Sequence, residues 1–371
     1  MKLVNKRLFF TISALKVIGT FFAFFIYASI VKLGDAHGYA SNNREFSYNI
    51  LLNRTEFTEF LFSSITVVTN NVFITHLISS LFAGYCIYYV FKDSYRFINK
   101  YLLFLSLSLP HFLIWTGVTT KELLSVALFS IFIKQVFNIV DKSTVNKKIL
   151  IFTGIVAVFL RPHYGIAYLY LFFSTVLITY IYRRGYNIFS KGVVFTTYAL
   201  LFLIFIGLLY YSFEHWEGGL IEVMHKSKNY FIHYSGSSTR YNLEFKSVSD
   251  FFSTIPSGLF MSLVGPTFAE SLDRPLFFIV FIEGLVYLGI CFFIYYVFFI
   301  KSLAYRNNLF ISLFLFSFLP ALIALLLAHY PLGVWNPGTA LRYKQALVPL
   351  MVFYPLLVLG LFRKNKLKKY S

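Results

Sequence analysis

A chain of 371 residues that is 58% hydrophobic, 21% aromatic and has a mean hydropathy of +0.70 carries more apolar surface than one soluble core can hide. Two cysteines, Cys86 and Cys291, exclude a disulfide framework. The eight histidines show no metal-ligand spacing, and no Walker or Rossmann fingerprint occurs, so neither metal nor cofactor is expected. The net charge of +18 would suit a nucleic-acid binder if it were clustered on one surface, but it is distributed along the chain in a different way.

Apolar runs of helix length recur from end to end, matching the ~30 Å of a bilayer core. In lipid, only helices or closed barrels satisfy the backbone, and these runs are too continuous for barrel strands. The expected spans are 8–31, 71–91, 101–118, 122–140, 149–160, 166–182, 192–212, 275–300, 309–329 and 345–362. The expected fold is therefore an all-α, polytopic transmembrane helical bundle of about ten helices. It reads as one integral membrane domain over 1–371, with no internal repeat. Met1–Arg7 is basic and no small-residue cleavage site follows, so the first run reads as a permanent anchor. The stretch 57–70, apolar but broken by polar residues, reads as an interfacial segment.

With the N-terminus inside, the inner segments are 1–7, 92–100, 141–148, 183–191, 301–306 and 363–371. They hold more than half of the 33 lysines and arginines and only two acids, Asp93 and Asp141. This positive-inside pattern sets both termini in the cytoplasm and turns the +18 charge toward anionic lipid, with no need for nucleic acid. Two long segments, 32–70 and 213–274, then lie outside; the second contains Ser235-Gly236-Ser237-Ser238.

Ionisable residues in or beside spans are costly unless paired or hydrated. Asp35, just past the first span, reads as a general base or as a solvated loop acid. In Trp115-Thr116-Gly117-Val118-Thr119-Thr120-Lys121-Glu122, a tight outer hairpin, Thr119 or Thr120 suits a helix cap. Lys121 at that helix start suits a phosphate, and Glu122 reads as a first-turn acid or a catalytic one. The span 149–160 has only 12 apolar residues, ~18 Å, before Arg161-Pro162-His163, so Arg161 and His163 are expected at membrane depth. Arg161 suits bidentate phosphate binding, with a structural pairing to Asp35, Glu122 or Glu283 as the alternative. Glu283, inside the eighth span, suits an ion pair or proton transfer. Arg342 and Lys344 are cations at an outer boundary, fitted to a lipid diphosphate or to snorkelling. Lys16 and Lys134 read as snorkelling near inner span ends.

Acids, cations and a histidine at the outer face, under two long loops, suit a substrate with a lipid tail and a phosphate head. The chain resembles bacterial surface-polysaccharide membrane proteins, namely O-antigen polymerases and the related C-type membrane glycosyltransferases. The resemblance rests on Asp35 ahead of Tyr39, on Trp115, Gly117, Lys121 and Glu122, and on Arg161-Pro162. It continues through Pro256-Ser257-Gly258-Leu259, Gly265-Pro266, Glu283, and Arg342-Tyr343 with Pro349. Asp35 is followed by Ala36, where many C-type enzymes carry a second acid. The resemblance implies an undecaprenyl-diphosphate-linked oligosaccharide as substrate, a bacterial cytoplasmic (inner) membrane location, and a flippase and chain-length regulator as partners. It implies Asp35 as base, with Arg161 and Arg342 near the diphosphate; from their own placement His163 and Glu122 are the further catalytic candidates, and Lys121 and Lys344 the further substrate-binding ones. A transferase using a polyprenyl-phosphate sugar, a flippase for the lipid-linked unit and a structural subunit are the competing expectations.

Overall fold

The computed structural model describes residues 2–31, 33–42, 44–185, 196, 199–200, 202–203, 206, 222, 224–226, 228–229, 232–233, 239–240, 243–304 and 308–368. The expected span 192–212 lies almost wholly outside the described residues. Ser235-Gly236-Ser237-Ser238, Lys191, Arg306 and Lys369 lie outside them too. The described residues are helical, with no strand among them. They form two compact units, Met1–Gly165 with Gln345–Ser371, and Ile166–Lys344.

The first unit opens with α1 (Lys2–Phe21), which continues through a π turn, Phe22–Tyr27. After α2 (Ala36–Ser41) come α3 (Arg54–Thr69) and α4 (Val72–Phe91), then two short helices, α5 (Lys100–Leu107) and α6 (Pro110–Trp115). Next are α7 (Lys121–Val140) and α8 (Lys147–Leu160). Helix α9 (Pro162–Arg183) leads on to the second unit. There follow α10 (Val248–Ser253), α11 (Ile255–Val264), α12 (Phe268–Asp273) and the 30-residue α13 (Pro275–Ala304). Helices α14 (Asn308–Ser312) and α15 (Leu319–Gly333) flank a second π turn, Leu313–Phe318, and α16 (Pro337–Tyr343) precedes Gln345. The final helix α17 (Tyr354–Lys368) returns to the first unit.

Asparagine caps five of the helix starts. Asn53, Asn71, Asn99, Asn146 and Asn336 each accept a backbone N–H of the first turn that follows, satisfying donors that a helix start leaves open. Asn70, with φ 51°, ends α3 in the left-handed conformation and Asn71 caps α4, so two residues reverse the chain. Helix α7 is the axis of the first unit, with nearly every residue buried, and it packs on α4, α8 and α17.

Among the described residues, six helices are long and apolar enough to cross a membrane: Asn5–Ile30, Val72–Phe91, Lys121–Asp141, Pro162–Arg183, Pro275–Ala304 and Asn308–Gly333. Pro337–Leu347 with Pro349–Leu367 makes a seventh if that broken pair is one span. Two expected spans differ in form. The run 101–118 is broken where Pro110 lacks an N–H and holds Leu109 extended (ψ 130°), leaving helices of 8 and 6 residues. The run 149–160 belongs to α8, whose 14 residues cover ~21 Å.

The snorkelling reading of Lys16 and Lys134 is also corrected. Lys16 is buried in the bundle. Its ammonium donates to Thr116 Oγ1 and lies 4.7 Å from the Phe112 ring centre, while its stem lies against Gly84. Lys134 is buried and pairs with Asp93 at 3.1 Å.

Candidate functional site

The turn 116–120 between α6 and α7 is a non-helical stretch enclosed by protein, with Thr116, Val118, Thr119 and Thr120 all fully buried. Several of its polar groups find partners on other elements, as buried backbone requires. Thr20 of α1 donates to Gly117 O (2.8 Å). Thr119 Oγ1 donates to Ala36 O of α2 (2.9 Å), and the Thr119 N–H donates to His76 Nδ1 of α4 (3.2 Å). Thr120 caps α7, accepting from Leu123 N, while its hydroxyl donates to Trp115 O. Gly117 is required by space: a Cβ there would lie 2.6 Å from Leu113 O and 2.9 Å from the Gly19 carbonyl carbon. The turn is thus locked from several sides, and it fixes where Lys121 and Glu122 point.

Glu122 is fully buried and pairs with Arg161, itself 4% exposed. Arg161 ends α8 with an extended ψ of 69°, and its carbonyl accepts from Tyr164 N and Gly165 N, starting α9 with no intervening loop. Of the structural partners weighed for Arg161, the geometry selects Glu122. His163 is half-buried, its ring 4.1 Å from that of Tyr164.

Lys121 turns the other way. Its ammonium donates to Thr55 Oγ1 of α3 at 2.6 Å and sits 5.5 Å from the Tyr39 ring centre on α2. Arg161, Arg54, Glu122 and Asp35 all act on its charge. Asp35 is exposed, and its Oδ2 accepts from the Tyr39 hydroxyl at 3.3 Å. Four of the seven expected site residues, Asp35, Lys121, Glu122 and Arg161, therefore meet in one cluster. Arg54, Thr55, Tyr39 and His76 complete it. Sequence reasoning gave them no role, although Asn53-Arg54-Thr55 carries the signal of a helix start with a cation in its first turn.

Arg342 and Lys344 belong to the second unit. Arg342 is half-buried, 5.8 Å from the ring of its neighbour Tyr343. Lys344 is 1% exposed, donates to Leu263 O (3.2 Å), lies over the Tyr287 ring and feels Glu283. It is one of three basic side chains on the C-terminal end of α11. His329 Nε2 lies 3.1 Å from Ser262 O, and Arg240 Nη2 donates to Gly265 O (2.7 Å). Such donors satisfy carbonyls that a helix end leaves open and complement its dipole. The site reading of Lys344 thus meets a structural task. Gly265, at φ 103°, makes the turn that exposes these carbonyls, and Gly284 and Gly333 let α13 and α15 approach α11 closely.

Arg240 also forms a two-point ion pair with Glu270 (both contacts 2.7 Å) and donates to Val334 O (2.8 Å). Glu270 in turn closes a capping box with Thr267. Burial, the largest influence, pushes the Glu270 carboxyl up, but the Arg240 hydrogen bonds, the Thr267 N–H and the Arg240 charge together hold it below the usual range. The Thr267-x-x-Glu270 spacing was readable; the arginine 30 residues earlier was not.

No family model matches this chain, and neither a curated protein nor a solved structure is significantly similar to it.

Proposed function

We propose that this chain is a bacterial inner-membrane glycosyltransferase of the repeat-unit polymerase kind, joining oligosaccharides carried on a polyprenyl diphosphate at the outer face. The observation that carries the reading is the gathering of Asp35, Arg54 and Lys121 around Tyr39 and Thr55, with Arg161 balanced by Glu122 behind them. In the proposed step a hydroxyl of the acceptor sugar attacks the anomeric carbon of the donor oligosaccharide. The new glycosidic C–O bond forms as the anomeric C–O bond to the diphosphate breaks. Asp35 takes the hydroxyl proton, and the bonding electrons leave with the polyprenyl diphosphate, whose charge Lys121 and Arg54 stabilise. Arg161 then serves chiefly to hold Glu122, and with it the start of α7.

The test is purified chain in liposomes, supplied with a polyprenyl-diphosphate-linked repeat unit. The expected product is a ladder of chain lengths on a gel. Asp35→Asn should slow it by about 10²–10⁴-fold and Lys121→Met by about 10²–10³-fold, with both variants still inserted and folded. A single addition from a polyprenyl-phosphate sugar would favour the C-type transferase. Movement of the lipid-linked unit across the bilayer without a ladder would favour the flippase. Wild-type rates in both variants would remove the site.

A further inference from the structure

Between α2 and α3 runs Phe46-Ser47-Tyr48-Asn49-Ile50-Leu51-Leu52, seven residues without a charge. Four large side chains point outward: Phe46 is 62%, Tyr48 83%, Leu51 59% and Leu52 84% exposed. The segment is held in this pose. Ile50 is buried beneath it, and the backbone forms a 3-10 turn over Tyr48–Leu51. The Phe46 ring packs on Phe60 of α3 at 5.7 Å and on Tyr48 at 6.3 Å. The flanking charge is folded back: Arg44 binds Glu56 and Glu59, each at 2.8 Å. Between exposed Glu45 and Arg54 the chain thus presents an uncharged, ordered set of apolar side chains.

We infer that residues 46–52 are an anchor seated in the headgroup region of the lipid leaflet. The segment is tied to the membrane at both ends. It follows the candidate span Asn5–Ile30, and α3 after it turns at Asn70–Asn71 directly into the candidate span Val72–Phe91. A Tyr with an apolar body and polar tip, beside Phe and two Leu, suits the boundary between acyl chains and water. Arg54 and Thr55 follow within three residues of Leu52, and Thr55 holds Lys121. The anchor thus keeps the cation cluster level with lipid phosphates. The inference concerns lipid contact and stands whether or not the proposed reaction is correct.

The experiment places single cysteines at Tyr48 and at Leu52 in full-length protein whose native Cys86 and Cys291 are replaced by alanine. Each carries a nitroxide, and the protein is held in nanodiscs of phosphatidylethanolamine and phosphatidylglycerol. Collision with oxygen should exceed collision with a water-soluble nickel chelate at both positions, and a label at exposed Lys142 should show the reverse. Free access of the chelate at Tyr48 and Leu52 would overturn the inference. Shielding from both agents would overturn it as well, by assigning the face to a protein partner or a second copy. Two positions are used so that one poorly folded variant leaves the other to decide.

Discussion

Two buried cations in the first unit have opposite circumstances. Arg161 faces Glu122, a full charge; Lys16 faces a threonine hydroxyl and a phenyl ring. Removing one member of a buried ion pair strands the other, which costs about 3–5 kcal/mol, whereas replacing a desolvated ion by an apolar group of similar volume is often neutral or favourable. Glu122→Gln should therefore lower the thermal unfolding midpoint in a fixed detergent markedly. The double change Glu122→Gln with Arg161→Met should recover much of the loss, and Lys16→Met should leave the midpoint equal or higher. A stable single Glu122→Gln variant would show that the pair does not hold the start of α7. Sequence alone separated these cases poorly. Glu122 is one of three acids that the sequence offers Arg161, because an arginine before a proline in a short apolar run has few ways to be satisfied. Lys16 was assigned to the wrong environment, because a side chain's depth along a helix says nothing about which face is packed.

Helices show the same division between local and distant information. The start of α7 was readable from Thr120-Lys121-Glu122, since capping acts within one turn. The break at Pro110 was written in the residue itself, but averaging hydropathy over the run 101–118 concealed it. Helix α11 was concealed in the reverse way. Its ten residues, apolar but for Ser257 and Ser262, sit in the polar segment 213–274, and only its packing on α13, α15 and α16 marks it as part of a core. The stability of that arrangement has a pH limit. Glu270 titrates below its ordinary value in the folded state, so it binds fewer protons folded than unfolded through the acid range. The stabilisation it gives is fully present above its unfolded value, near 4.5, and is lost as pH falls through the lower folded value. Amide protection over residues 243–273, with exchange rates corrected for their intrinsic slowing in acid, should fall between about pH 5 and pH 3, the carboxylate range. Glu270→Gln should exchange faster at neutral pH and lose that acid dependence. An unchanged acid dependence in Glu270→Gln would assign it to another group, such as Asp250, which the Lys246 and Ser247 N–H groups hold low.

Across the first unit, charge is sorted by end. Asp35, Arg54, Lys121 and Arg161 lie just before α2, at the start of α3 and α7, and at the end of α8, and all act together around Lys121. Asp93, Lys134, Asp141 and Lys364 belong to the opposite ends of α4, α7 and α17. The two acids of the predicted inner segments are each taken by a lysine: Asp93 by Lys134 at 3.1 Å and Asp141 by Lys364 at 2.7 Å. Within this unit Arg7, Lys92, Arg96, Lys100, Lys142, Lys147 and Lys148 keep that end positive, which is the signal that retains a loop in the cytoplasm. With that end inside, the cations of the opposite end run against the rule; of these, Arg161 is balanced by Glu122, and Arg44 by Glu56 and Glu59. Single cysteines at Glu45, Lys142 and Lys366, in protein lacking Cys86 and Cys291, test the orientation that follows. In intact cells an impermeant maleimide should reach only the Glu45 position; after permeabilisation it should reach all three. Labelling at Lys142 in intact cells would invert the topology. The Asp35–Lys121 cluster would then face the cytoplasm, where nucleotide-activated sugars are available, and a polyprenyl-linked donor would no longer be required.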